Sequence, residues 1–161
     1  MGIESKHPRY KDKEVQWARC RDTYDGEDAI KDKRTEYLPK LSKQSDSSYS
    51  AYMKRASFYN TVKRTVHGLA GAVMRIDPIV EGIPEEWEKD ITTTGMSIND
   101  FIYYMLTEQL LTGRQGVLVE HDGSRPYLVG YPTEQMTNWL DDRNVLMEQY
   151  REIDPNDMYD S

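Results

Sequence analysis

The chain has 161 residues, of which 37% are hydrophobic and 30% charged, with a net charge of −7. That length suits one domain with a modest core. An acidic total speaks against tight, nonspecific DNA binding by the whole surface, and a lone cysteine, Cys20, excludes an intrachain disulfide or a thiolate metal site.

The charge is unevenly placed. Residues 1–75 carry 16 Lys/Arg against 10 Asp/Glu, whereas residues 76–161 carry 5 against 18. Such polarity favours oriented association with neighbours. The first residues, MGIESKHPRYKDKE, lack the apolar run of a signal peptide. Lys6 departs from the myristoylation pattern. No apolar stretch approaches the roughly 20 residues that cross a bilayer, so a soluble protein of a reducing cytoplasm, without membrane partners, is expected.

Residues 1–36 read as a charged, partly helical N-terminal arm. Val15, Trp17, Ala18 and Ile30 give it a weak apolar stripe, and Tyr24-Asp25-Gly26 reads as a turn. Residues 37–152 read as the α+β domain. Pro39 and the polar run Ser42–Ser48 mark a loop, with one of its serines or Asp46 capping the next helix.

One long helix is expected from Tyr49 to Arg75. Tyr52, Ala56, Tyr59, Val62, Val66, Leu69 and Val73 recur at steps of three and four, while Lys54, Arg55, Lys63 and Arg64 fall largely outside that stripe. Asp77-Pro78 ends it. A short helix starts at Pro84-Glu85-Glu86-Trp87. Ser97-Ile98-Asn99-Asp100 resembles a capping box ahead of Phe101, Ile102, Met105, Leu106 and Leu110, and Gly113 closes that helix.

Val117-Leu118-Val119 and Tyr127-Leu128-Val129 predict a hairpin over 116–131 with a loop of four residues or fewer. Thr133 is expected to cap a last helical turn through Trp139. After a turn at 140–144, a third strand is expected over 145–152. The fold class is thus α+β, with helices on a small, mostly antiparallel sheet of about three strands. Residues 153–161 form an acidic tail with little to order it.

The predicted core is Tyr52, Tyr59, Val66, Leu69, Phe101, Met105, Val117, Val119 and Tyr127. No pattern of residues assembles a catalytic site. Gly68-Leu69-Ala70-Gly71 and Gly113-Arg114-Gln115-Gly116 lack the spacing and the Lys-Ser/Thr of a phosphate loop. His7, His67 and His121 are scattered, His121-Asp122 reads as a surface turn, and Cys20 has no evident catalytic partner. Neither a catalytic residue, a cofactor nor a metal is expected.

An ordered set of residues then stands out. It runs through Trp17, Arg21-Asp22, Gly26, Tyr37-Leu38-Pro39, Tyr52, Arg55-Ala56, Tyr59-Asn60 and Arg64-Thr65-Val66. It continues through Gly68-Leu69, Gly71, Pro78, Gly95, Phe101, Glu108, Gly113-Arg114, Gly116–Val119, Arg125-Pro126-Tyr127, Tyr131 and Trp139. In this order the chain resembles the N-terminal, wing-like portion of tailed-bacteriophage portal proteins, the head-to-tail connectors. Glu120 stands where the family more often has Asp, and the hairpin loop is shorter than the family pattern.

Portals run several hundred residues, so the likeness covers about their first third. It implies a structural, non-enzymatic part of a virion, made in the host cytoplasm and placed at the portal vertex. There a homo-oligomeric ring, usually of twelve subunits, would pass double-stranded DNA. It would dock the terminase large subunit, the head-tail adaptor and the capsid or scaffolding protein. Arg55, Lys63, Arg64 and Arg114 are the expected subunit-interface or orientation residues. The alternative is a nucleic-acid-binding α+β module that uses the basic helix 52–75.

Overall fold

The computed structural model describes residues 5–140 and 143–145. Helix α1 spans Pro8–Asp25, with Pro8 in its first turn and the His7 ring accepting from the Arg9 N–H at 3.1 Å. It ends at Gly26, whose φ of 101° suits glycine. Helix α2, Glu27–Asp32, comes directly after it and leads into a 3-10 turn at Arg34–Glu36.

Helix α3, Asp46–Arg55, is capped by Ser45, whose Oγ accepts from the Ser48 N–H at 3.2 Å. Helix α4, Thr61–Val73, is capped by the Asn60 side chain, which accepts from the Lys63 N–H at 2.8 Å. Short α5, Glu85–Lys89, begins behind Pro84. Helix α6, Ile98–Thr112, starts at the Ser97 cap and stops at Gly113, which takes the left-handed conformation at φ 79°.

Strands β1, Gln115–His121, and β2, Pro126–Pro132, pair antiparallel without interruption from Gln115 opposite Pro132 to His121 opposite Pro126. A 3-10 turn at Thr133–Gln135 leads to a second, separate antiparallel pair. Its strands are β3, Asn138–Leu140, and β4, Arg143–Val145. The fold is α+β, as the run of helical patterns followed by a hairpin predicts.

Helix α1 packs on α2, α4 and α6; α4 packs on α6, and α6 on β1. The core among the described residues holds Tyr10, Trp17, Ile30, Val66, Ala70, Phe101, Leu111, Tyr131 and Met136. Each large apolar side chain so buried stabilises the fold by roughly 1.5–3 kcal/mol.

Several expectations need correction. The predicted helix over 49–75 is two helices, because residues 56–60 leave the helical path. The break is held from outside: the Phe58 N–H donates to Glu27 Oε2 at 3.1 Å, and Asn60 Nδ2 donates to the Tyr24 carbonyl at 2.7 Å. With the helix broken, Tyr52 and Tyr59 lose phase with Val66, whereas Leu69 keeps phase with Val66 within α4 but lies outside its buried line. Tyr49 is the residue that α3 buries, and Val66 and Ala70 those of α4. Tyr52, Tyr59 and Leu69, predicted as core, are exposed.

Val117 and Val119 are also exposed. Helix α6 crosses the hairpin over Gly130, where an added Cβ would meet Met105 Sδ and Tyr104 Cε1 at 3.1 Å. The far edge of β2 is bonded by the Leu128 N–H to the Ile91 carbonyl, so β1 is the outer strand. Met105 and Tyr127 are half-buried, while Val66 and Phe101 are buried.

Trp139 lies in β3 rather than in a helical turn, and Thr133 opens the 3-10 turn fully buried. The third strand expected over 145–152 meets the described residues only at Val145, which pairs with Asn138 in the second sheet and not with the hairpin. Residues 146–152 and the tail at 153–161 lie outside the described residues. The segment read as a charged arm contributes Tyr10, Trp17 and Ile30 to the interior.

Candidate functional site

The chemically dense part of the molecule is the junction where α1 and α6 meet the segment after the hairpin. Its axis is a column of rings around one cation. The Arg114 guanidinium lies 4.1 Å from the Trp139 ring centre and 5.4 Å from that of Trp17. The His7 ring stacks on Trp139 at 4.1 Å, and Tyr10 meets Trp17 edge-on at 5.3 Å. Stacking of a planar guanidinium on indole suits Arg in a way Lys could not reproduce.

Polar atoms anchor the column. Trp17 Nε1 donates to the Thr112 carbonyl at 3.1 Å, at the last turn of α6. Arg114 donates from Nη2 to the Met136 carbonyl at 2.9 Å and from Nε to Thr133 Oγ1 at 3.3 Å. Burial lowers the Arg114 pKa, yet a guanidinium stays charged, so the rings and carbonyls act as its counter-dipoles. The Tyr10 hydroxyl reaches the Glu134 carbonyl at 2.9 Å, and burial pushes its pKa up.

Beside the column, Arg21 of α1 grips two carboxylates. It gives Glu108 of α6 a forked pair of bonds at 2.8 and 2.6 Å, and Glu134 a second pair at 2.9 and 3.0 Å. The bonds to Glu108, then those to Glu134, hold the guanidinium pKa above its ordinary value. For Glu134, burial pushes the carboxyl up, but the Arg21 bond and charge outweigh it and hold the pKa below the usual range.

The same helix fixes the neighbouring loops. Asp22 Oδ2 accepts from the Tyr37 hydroxyl at 2.6 Å; burial and that bond push the tyrosine up to about 12. A Cβ on Gly26 would lie 2.9 Å from Asn60 Nδ2, so the start of α4 is pressed against the end of α1. His67 of α4 sits between two hydroxyls, Tyr24 on Nε2 at 2.9 Å and Tyr103 of α6 on Nδ1 at 2.8 Å. On the hairpin, Glu120 accepts from Tyr127 at 2.8 Å and Tyr131 at 3.2 Å, and Arg125 holds Asp90 at 2.7 Å.

Of the predicted interface or orientation residues, only Arg114 is in this junction. Arg55 ends α3 on the surface. Exposed Lys63 lies 5.3 Å over the Tyr24 ring, and exposed Arg64 donates to the Tyr59 hydroxyl at 2.8 Å. The His121–Ser124 turn is exposed, with Asp122 Oδ1 accepting from the Ser124 and Arg125 N–H groups; the Arg125 bond, then those from Ser124, lower its pKa to about 2. Among the described residues no group of three or more His, Cys, Asp or Glu is placed to hold a metal ion.

Arg21 and Glu108 had no predicted role beyond membership of the resemblance, and Glu134 had none at all. A signal was present. Tyr10, Trp17 and Arg21 fall at helical spacing on one face of α1, and Glu108 lies seven residues beyond Phe101 on the inner face of α6. An acid on a helix's inner face implies a buried cation. The junction's groups bond one another, which makes a brace between distant segments. No protein-family model and no curated protein matches this chain.

Proposed function

We propose that the chain is a wing-like structural portion of a phage portal ring, the connector through which double-stranded DNA is packaged and ejected. The observation that carries this reading is where the residues of the resemblance fall. Trp17, Arg21, Glu108, Arg114 and Trp139 are spread over more than a hundred positions, yet they make one continuous brace. Asp22, Gly26, Tyr37 and Asn60 belong to its flank. A rigid subunit suits a part that bears load without doing chemistry. The terminase large subunit, head-tail adaptor and capsid or scaffolding protein are the partners that this reading implies.

Negative-stain imaging and mass photometry of the purified protein test the proposal. Closed rings of uniform subunit number, with weak and salt-sensitive DNA binding, support it. A protein that stays monomeric and captures duplex DNA with submicromolar affinity at physiological salt overturns it. The second reading, a nucleic-acid-binding module, is favoured by one observation: Lys54, Arg55, Lys63, Arg64 and Arg75 are exposed and have no ion-pair partner among the described residues.

A further inference from the structure

We infer that the exposed face of α4 is a contact surface for a second copy of this chain, which presents to it the acidic segment 77–90. The inference rests on the ring reading and gives that ring a specific seam.

The first ground is charge. Residues 54–75 hold five Lys/Arg and no Asp or Glu, while residues 77–90 hold six Asp/Glu and one Lys. Within one molecule the two sets do not neutralise each other. Lys63, Arg64 and Arg75 make no ion pair among the described residues, and neither do Asp77, Glu81, Glu86 and Glu88; Glu85 pairs only with Lys89 on its own helix. Apart from Asp90, which Arg125 holds, and Glu85, each set is left to be met from outside.

The second ground is apolar. Leu69, Val73 and Ile76 succeed one another at steps of four and three along α4 and its end, exposed by 50%, 63% and 76%. Ile79, 89% exposed, stands on the acidic segment itself. Elsewhere on the exposed surface of α4, Gly68 and Gly71 have open space where a Cβ would be, so another chain can come close. Duplex DNA would satisfy the cations and leave this stripe in water. A protein surface that is both acidic and apolar covers both, and this chain carries one.

The two patches differ, so copies that turn them towards different neighbours make a heterologous contact, as the ring reading requires. Each copy uses α4 towards one neighbour and its acidic segment towards the other, and the rotation between copies decides whether the array closes. Complementary charge sets the register, and the apolar stripe supplies the buried area.

Sedimentation velocity of the full chain at about 50 mM and about 500 mM salt tests the seam, since long-range charge attraction is screened at the higher value. The wild type is expected to associate, more weakly at high salt. Arg64→Glu/Arg75→Glu and Glu85→Lys/Glu86→Lys are each expected to weaken association at least about tenfold, and a mixture of the two variants to restore it. All four positions are exposed, and circular dichroism checks that both variants keep their helices. A third variant, Leu69→Ser/Val73→Ser, is expected to weaken association at both salt concentrations. Association unchanged in all three variants overturns the seam while leaving the ring reading in place. A wild type that stays monomeric under both conditions overturns the seam and the ring reading together.

Discussion

Replacing Arg21 by Ala removes the cation that α1 places between two acids. Glu108 and Glu134, with side chains only 12% and 35% exposed, are then left facing each other without a counter-charge. Breaking a buried pair costs about 3–5 kcal/mol, and the partial exposure of Glu134 and Arg21 screens some of that, leaving about 2–3 kcal/mol. For a chain of this size that corresponds to a fall in Tm of roughly 5–10 °C. Thermal and urea unfolding monitored by circular dichroism measures it at pH 7. The sign with pH comes from Glu134. Its folded pKa is depressed, so its stabilising contribution is present above the ordinary value of 4.5 and is lost as pH falls through the folded value. In the variant the two carboxylates repel, and acid relieves them. The gap between wild type and variant is therefore widest at neutral pH and narrows below about 4.5. Adding Glu108→Gln and Glu134→Gln to Arg21→Ala recovers much of the loss. A gap that does not change with pH, or one below about 0.5 kcal/mol, refutes the account of a buried, charge-neutralising brace.

Gly26→Ala places a Cβ at a φ of 101° and 2.9 Å from Asn60 Nδ2, and is expected to lower stability by about 2–3 kcal/mol, read from the urea midpoint at constant slope. Tyr37 is held protonated up to about 12, so its contribution is complete below the unfolded value near 10 and disappears as pH rises towards 12. Wild type is expected to lose stability over that range more steeply than Tyr37→Phe, and the difference in 295 nm absorbance between the two titrations locates the hydroxyl.

Local signals in the sequence proved readable where the local chain decides the outcome. Ser97 and Gly113 bound α6 because a hydroxyl cap and a left-handed glycine act within a few residues. The hairpin is legible for the same reason, with a short apolar run on each side of a polar loop. The break at residues 56–60 was not legible. No glycine or proline marks it, and it depends on Glu27 and Tyr24, some thirty residues upstream. The exposed faces of Val117 and Leu69 were missed because periodicity shows which residues share a face but not whether anything covers it. The junction was half legible. Arg114 stood out beside its glycines, whereas the importance of Arg21 emerges only when Glu108 and Glu134 arrive from 87 and 113 positions away.

The ring column also bears on how the molecule is made. Trp17 lies on a helix made well before the residues that complete its indole, the Thr112 carbonyl and, through Arg114, Trp139. Helices α2 and α4 can pack on α1 early, but the Trp17 face of that helix waits 95 residues for the Thr112 carbonyl. Its polar composition gives it little reason to persist alone. Closing the Trp17 side of the junction is thus a late step that must draw in a long loop, and a nascent chain stalled before residue 112 would leave that indole uncovered.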